Sequence, residues 1–400
     1  MSSLAQLHFS DKDISERWSN VKEDFWGDLK REQSIALGKL LTSGMEIQVQ
    51  DLVGTKRYTH MTERPTYRNG YRYRSLLTCF GYLSKVAVPR IRSGKIRFSC
   101  FDAYKRRSND VDSLILKMFL AGVSTRRVEE VAEPLFGPDM LSASSVSSIT
   151  KRLNEQVNKY RARKLTDDYL YLIADGVYFN VKNPVWGKRR CVLVVYGITS
   201  NGIRELIDFE LASHGESELA WQNFFWRLYY RGLEGKHLRL IGRDGNKGLK
   251  NALAAVFPNV PQQPCWAHKL RNVANKISKK LQPLCISQAQ KIYNASDHTN
   301  ALRAYKSWAK TWQPIAPNAV ACLNEDIFDL LHFFKEPKPM WIKLRTTNVI
   351  ERCFREVRRR TRPMSCFQNS DSVQRIIFAI FFRQNKLWEN KPLKEFTHNI

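Results

Sequence analysis

The chain is first informative for what it lacks. Its eight cysteines are scattered over 400 residues and nowhere form a C-x-x-C pair, so neither a zinc ribbon nor a disulfide framework is indicated. Reduced thiols in a cytoplasmic protein are the expectation. No apolar stretch approaches the ~20 residues that cross a bilayer. The densest run near the carboxyl end, 376–382, is far too short. Residues 1–11 show no basic start followed by an apolar core, so no signal peptide is expected. Gly-rich phosphate loops, Ser-His-Asp arrangements, internal repeats and low-complexity segments are also missing. Acid is in short supply as well. The 38 Asp and Glu face 65 Lys and Arg, which leaves a net charge of +27 and a pI near 9.9. A polyanion, nucleic acid before any other, is the partner such a balance implies.

What is present reads as globular, with length enough for two or three domains. Apolar spacing of three to four over the first 55 residues, at Leu37, Leu40, Leu41 and Met45, predicts helix. Between Lys56 and Arg107 there are 14 Lys or Arg against Glu63 and Asp102, a local excess of +12. Tyr67, Tyr71, Tyr73, Phe80 and Tyr82 interleave with these cations. Residues 75–80, a turn at Gly81, and 83–91 read as a β-hairpin with a basic face, suited to tracking phosphates. Three helices are expected over 111–163, at 114–121, at 126–135, and a long third one through Lys151, Arg152 and Lys159. A helix, a short Gly122-Val123-Ser124 turn and a second helix have the layout of a helix-turn-helix DNA binder, or of an ordinary helical linker.

Near residue 168 the period changes. Strands are expected at 169–181, 190–199 and 203–211, then a helix at 216–230, a strand at 238–241 ending at Asp244, a helix at 247–257, and a short fifth strand from Val260. Three antiparallel strands followed by alternating helix and strand is the order of the ribonuclease H fold, an α/β sheet. A Trp-bearing helical segment then reads as an insertion before the last core helix. The organisation so expected is 1–110 (helical region and basic hairpin), 111–165 (helix-turn-helix-like), 166–265 (core, first part), 266–343 (α-helical insertion) and 344–400 (C-terminal core helices).

Three short pieces carry the chemistry: Ile173-Ala174-Asp175-Gly176, Gly242-Arg243-Asp244-Gly245, and a helical run over 346–362 that contains Glu351. Asp-Gly is also a hairpin-turn signal, yet 171–174 and 177–179 read as one strand that a turn would break. A carboxylate inside a buried strand is costly unless it is paired or holds a metal. Asp244 lies where a strand meets a helix, a place for an N-cap and also the place where sites gather in open α/β sheets. Glu351 fits a capping box with Asn348 and an ion pair with Arg355. Its helix also carries Arg352, Arg355, Arg358, Arg359, Arg360 and Arg362, a concentration suited to phosphates. As a set, two strand aspartates and a helical glutamate can hold a pair of Mg²⁺ (or Mn²⁺) ions beside a phosphodiester. Cys265-x-x-His268 offers two ligands where a structural zinc takes four, so packing or hydrogen bonding is its expected role.

At this point the residues resemble a known family, the bacterial insertion-sequence transposases of the Mutator-like group. The similarity runs through Tyr67-Arg68-Asn69-Gly70-Tyr71-Arg72, Val88-Pro89-Arg90-Ile91-Arg92, residues 120–128 and 146–150, and Ala174-Asp175-Gly176-Val177-Tyr178. It continues through Asp244-Gly245-Asn246-Lys247-Gly248-Leu249, Cys265-Trp266-Ala267-His268-Lys269-Leu270-Arg271-Asn272 and, most specifically, Leu344-Arg345-Thr346-Thr347-Asn348-Val349-Ile350-Glu351-Arg352. It spans roughly residues 30–390 in one order. The resemblance implies an Asp-Asp-Glu triad of Asp175, Asp244 and Glu351 as catalytic metal ligands, with two Mg²⁺ (or Mn²⁺) ions, in a ribonuclease H-like core. It makes Cys265 and His268 a family signature. It also implies an amino-terminal region that recognises terminal inverted repeats, strand cleavage and transfer on DNA, and a homo-oligomer acting on DNA in the bacterial cytoplasm. The basic residues expected to meet DNA are Arg68, Arg72, Arg90, Arg126, Arg127, Lys151, Arg271, Arg355, Arg358 and Arg359, with Lys269 a weaker candidate. Two positions depart from the pattern: Arg243, a cation beside a metal ligand that could bind phosphate or weaken metal affinity, and Gln368, in place of a proline. The alternatives are a junction-resolving nuclease with the same fold and a transposase-derived DNA-binding protein without catalysis.

Overall fold

The computed structural model describes residues 10–19, 24–56, 58–59, 65–100, 105–121, 123–124, 127–137, 140–181, 188–212, 215–361, 367 and 369–397. The chain divides into two compact units, 1–151 and 152–400.

In the first unit, α1 (Asp11–Ser19) and α2 (Phe25–Val53) precede a hairpin of β1 (Arg68–Thr78) and β2 (Gly81–Ile91). Helix α2 starts where the Asp24 side chain accepts the Gly27 N–H, and it ends on Gly54, whose φ of +79° only glycine adopts cheaply. Met45 of α2 packs on Leu76, Leu83, Val86 and Val88 of the hairpin. The hairpin register sets Thr78 opposite Gly81, so the turn falls on Cys79-Phe80, one step before the expected Gly81. Helices α3 (Asn109–Ala121), α4 (Arg127–Phe136) and α5 (Ala143–Lys151) follow, joined by a core of Val111, Ile115, Val128, Ala132, Phe136, Val146 and Ile149. Ser124 caps α4 by accepting the Arg127 N–H at 3.3 Å.

The long third helix expected here is not continuous. It breaks at Arg152, and α6 (Leu153–Ala162) belongs to the second unit. The two halves serve different cores. Val146 and Ile149 of α5 join the three-helix cluster, whereas Tyr160 of α6 meets Phe378 with ring centroids 5.5 Å apart. One helical periodicity therefore spans two burial sites, which the residue pattern alone does not reveal.

The second unit is a mixed α/β structure. Strands β3 (Tyr169–Val181), β4 (Lys188–Thr199) and β5 (Arg204–Leu211) form an antiparallel meander, followed by α7 (Glu218–Tyr230), β6 (Leu240–Arg243), α8 (Lys247–Val256) and β7 (Gln262–Pro264). The sheet order is β5-β4-β3-β6-β7, with β6 parallel to β3 and β7 parallel to β6. Leu172, Ala174, Leu193, Val195 and Ile207 face α7 and α8, against Trp221, Phe224, Phe225, Leu249 and Leu253. Alternation along β3 turns Ile173, Asp175 and Phe179 to the opposite face.

A helical segment comes next: α9 (Trp266–Ala274), α10 (Gln282–Tyr293), α11 (His298–Trp312), α12 (Pro317–Asn324), α13 (Ile327–Leu330) and α14 (Trp341–Leu344). Indole N–H groups tie it together, with Trp266 donating to the Leu330 carbonyl at 2.8 Å and Trp312 to Gln288 at 2.7 Å. The chain then returns to the sheet with α15 (Asn348–Thr361), α16 (Ser370–Trp388) and α17 (Lys394–Thr397). On α15, Ile350, Phe354 and Val357 are fully buried at a helical spacing of four and three. Phe354 packs between Phe179 of β3 and Phe381 of α16, at 5.6 and 5.7 Å between centroids. That face fixes the helix on the sheet and leaves Arg352, Arg355, Arg358 and Arg359 exposed.

Candidate active site

The register between β3 and β6 brings two acids together. Ala174 pairs with Arg243 in parallel, so Asp175, within β3, and Asp244, the first residue past the end of β6, follow next to that pair. Asp175 lies within β3 and is only 4% exposed. No turn interrupts the strand at Asp175-Gly176. Burial pushes its carboxyl up to about 7, the Asp244 charge adds to the rise, and His268 and a hydrogen bond from Thr347 oppose it. Asp244 is raised as well, first by burial, against the Asn246 N–H, His268 and Arg243. The N-cap of α8 is Asn246, not Asp244, for its side chain accepts the Leu249 N–H at 3.1 Å. Asp244 instead accepts the Asn246 N–H at 2.9 Å, which fixes its carboxylate at the strand end.

Glu351 sits in the first turn of α15. Its carboxylate faces His268, with Oε1 3.5 Å from Nε2, rather than pairing with Arg355. Its charge is felt at Asp175. Among the described residues, no group of three or more His, Cys, Asp and Glu side chains is close enough to hold a metal ion. The structure thus joins Asp175 to Asp244 and sets Glu351 within electrostatic reach, without gathering the three into one ligand set. The Asp175 and Asp244 carboxylates are hard oxygen donors whose proton affinity burial raises, a donor chemistry that suits Mg²⁺ or Mn²⁺.

The Cys265–His268 turn lies between these acids and α15. Cys265 N donates to the Arg243 carbonyl at 2.7 Å, so the turn grows directly from the strand end beside Asp244. Its sulfur, 2% exposed, accepts the Thr347 N–H at 3.3 Å. Burial works against a thiolate here, yet His268 outweighs it and draws the Cys265 thiol down. His268 rises to about 9, held up by Cys265 against burial and helped by Asp175 and Asp244. Among the described residues its buried Nδ1 meets no hydrogen-bond partner of good geometry.

Arg243 does not reach out to phosphate. It is 2% exposed, and its guanidinium donates to Gln262 Oε1 at 2.8 Å and to the Asp244 carbonyl at 3.0 Å. It braces the acid's backbone. Lys269 is buried too, locked to Asp326, with Glu325 at 3.5 Å. Both cations look available in the sequence because the side chains that hold them, Gln262 and Asp326, lie 19 and 57 residues away.

One acid escaped the sequence reading. Glu216, at the start of α7, lies against Gly176, where a Cβ would come within 2.7 Å of its carboxylate. Trp221 Nε1 donates to it at 3.3 Å, and burial followed by the Asp244 charge raises it to about 7. The glycine after Asp175 was the available signal: this close approach requires it.

The basic candidates divide by exposure. Arg68 is engaged with α2, donating to the Thr55 carbonyl at 3.0 Å with Glu46 at 3.7 Å. Arg72, Arg90, Arg127, Lys151, Arg271, Arg355, Arg358 and Arg359 are exposed, Arg127 being paired with Glu130 and Arg359 with Glu356. Arg126 and Gln368 lie outside the described residues, as does the side chain of Arg360. In the first unit, Arg72, Tyr73, Arg74, Ser75 and Arg106 line an open cavity of about 640 Å³. Burial, then Arg72 and Arg106, lowers Arg74, a repulsion that an anion relieves. Among the described residues no helix is long and apolar enough to cross a membrane.

The model of the Mutator family of transposases matches residues 17–391. The transposase for insertion sequence element ISRM5 of Rhizobium meliloti is 32% identical over 344 residues, covering 86% of this chain and 85% of that one. The transposase for element IS256 in transposon Tn4001 of Staphylococcus aureus is 32% identical over 388 residues, covering 96% and 97%. A solved Drosophila P element transposase strand transfer complex aligns with 72% of this chain and 81% of its own at 10% identity, with a TM-score of 0.30, too loose to bear on the fold.

Proposed function

Because this chain belongs to the Mutator family of transposases, we propose that it is the DNA transposase of an insertion sequence, cutting and joining strands at Asp175, Asp244 and Glu351. The observation that carries this reading is the Asp175–Asp244 pair, a buried carboxylate within β3 and a half-buried one just past the end of the parallel strand β6, both with raised proton affinity. Such a pair is costly to fold around and useful only where positive charge or a reacting group relieves it. The sheet order, an antiparallel meander continued by two parallel strands, supports a ribonuclease H-like core.

Asp175, Asp244 and Glu351 would hold two Mg²⁺ (or Mn²⁺) ions, which when bound supply Lewis acidity for a phosphodiester exchange in which a 3′ oxygen leaves and later attacks a second strand. The chain's own residues do the rest. Asn246 and Arg243 set the position of Asp244, and the His268 imidazolium holds the Glu351 side chain. The exposed arginines of α15, Arg355, Arg358 and Arg359, border the site and neutralise phosphates of the bound strand. The basic hairpin and the three-helix cluster of the first unit bind the terminal inverted repeats, with the cavity lined by Arg72, Arg74 and Arg106 taking backbone phosphate. The protein acts on DNA as a homo-oligomer in the cytoplasm.

The test is cleavage of labelled DNA bearing the element's terminal repeat, with Mg²⁺ or with EDTA, by the wild type and by Asp244→Ala. Mg²⁺-dependent nicking at the repeat end that disappears in the variant is the expected result. Binding without cleavage in any divalent metal would sink the catalytic reading and favour a DNA-binding protein derived from a transposase.

A further inference from the structure

We propose that Cys265 and Thr347 form a latch that seats the Glu351 helix over Asp175, which makes Thr347 a positioning residue of the acid site; this rests on the reading of that site given above. The first sign is a side chain that does not do its local job. Cys265 occupies the N-cap of α9, where a side chain ordinarily bonds its own helix, yet it makes no such bond. Its sulfur turns instead to a residue 82 positions away in the chain and accepts the Thr347 N–H.

Thr347 is 1% exposed, and each of its polar groups is in use. The amide is given to Cys265. The carbonyl accepts the Ile350 N–H at 3.0 Å and the Glu351 N–H at 3.4 Å, the opening bonds of α15. The hydroxyl lies 3.6 Å from the same sulfur, and the Thr347 side chain also acts on Asp175, lowering the proton affinity that burial raises. A second bond runs close by, from the N–H of Trp266, the residue after Cys265, to the carbonyl of Arg345, two residues before Thr347, at 3.0 Å. Finally His268, one turn into α9, meets Glu351, one turn into α15. The start of α9, fixed to the β6 end by Cys265 N–H to Arg243 O, therefore grips the start of α15 at three levels.

The consequence is directional. Asp175 is fixed by the sheet, whereas Glu351 arrives on a helix that follows the long helical segment 266–343. A shift of that helix by an ångström would misplace the third acid while leaving the first two untouched. Thr347, bonded to the latch sulfur and acting on the Asp175 carboxyl, sets that distance.

The probe is Mn²⁺ alone, titrated calorimetrically into the full chain. Thr347→Val is expected to bind Mn²⁺ about tenfold more weakly than wild type, as loss of a residue that orients ligands typically does. Thr347→Ser, which keeps the hydroxyl, is expected to bind within about twofold of wild type. Glu351→Gln is expected to weaken binding at least as much as Thr347→Val, and the double variant to bind no more weakly than Glu351→Gln alone. Should Thr347→Val not fold, Cys265→Ala carries the test with the same expectation. Wild-type affinity in Thr347→Val with weakened affinity in Glu351→Gln would overturn the latch, and so would full additivity in the double variant. Wild-type affinity in both Glu351→Gln and Asp244→Asn would overturn the acid-site reading itself, and the latch with it.

Discussion

Two parts of one five-stranded sheet bury carboxylates and treat them in opposite ways. On the edge strand β5, Asp208 is fully buried and answered by cations: Arg231 pairs with it, Arg227 lies at 3.5 Å, and the Phe209 N–H donates at 2.8 Å. Beside it Glu210 pairs with Arg227, and Arg161 lies at 3.8 Å. On the central strand β3, Asp175 is buried almost as deeply, but its charged neighbours include two further acids, Asp244 and Glu351, offset by His268 and by a hydrogen bond from Thr347. Burial alone thus says little about a carboxylate. What faces it separates a brace from a reacting group: an acid already answered by arginines is saturated, and one set against other acids can still take up a cation.

The largest effect should come from breaking the saturated end. Asp208→Asn leaves Arg231 buried without its counter-charge, and a loss of about 3–5 kcal/mol in urea unfolding is expected. A loss below 1 kcal/mol would mean that the arginines find other partners and that the contrast is overstated.

Removing the charge at the centre should do the reverse. The Asp175 carboxyl holds its proton more tightly folded than unfolded, since its value rises from 3.8 to about 7. The folded state therefore loses stability as the pH climbs from about 4 to about 7, and the loss is complete above that window. In metal-free buffer Asp175→Asn should unfold at a higher temperature than wild type at pH 8 and at a similar one at pH 4, the gain being on the order of a few kcal/mol. Added Mn²⁺ should narrow the gap by stabilising only the wild type. An equal shift at both pH values would show packing, not charge, at work.

The smallest effect sharpens the comparison at Glu216, which lies beside the site and, among the described residues, is paired with no arginine. Gly176→Ala drives a methyl into that carboxylate, with an expected cost of about 1–3 kcal/mol. Combining it with Glu216→Ala should recover most of the loss. Simple additivity of the two substitutions would place the strain elsewhere.

How much of this was readable beforehand follows from the range of each signal. Strand β3 was legible over its full length because apolar and aromatic residues flank Asp175-Gly176 on both sides, and α8 because its apolar positions recur at helical spacing, although its cap, Asn246, went unread. The break at Arg152 was not, since both halves of that run have helical spacing and only the separate cores divide them. Arg243 and Lys269 were misjudged for the same kind of reason. Gln262 and Asp326, which hold them inside, are distant in sequence and carry no mark of the pairing.

The sequence by itself determined the elements, the basic balance and the residue types at the site, because helix and strand periods, turn chemistry and net charge depend on residues close along the chain. Only the tertiary structure decided which charges are spent and which are left. A carboxylate's proton affinity depends on what lies within a few ångströms in space. For Asp175 that means Asp244 on the next strand, Thr347 and Glu351 at the start of a later helix, and His268 between them.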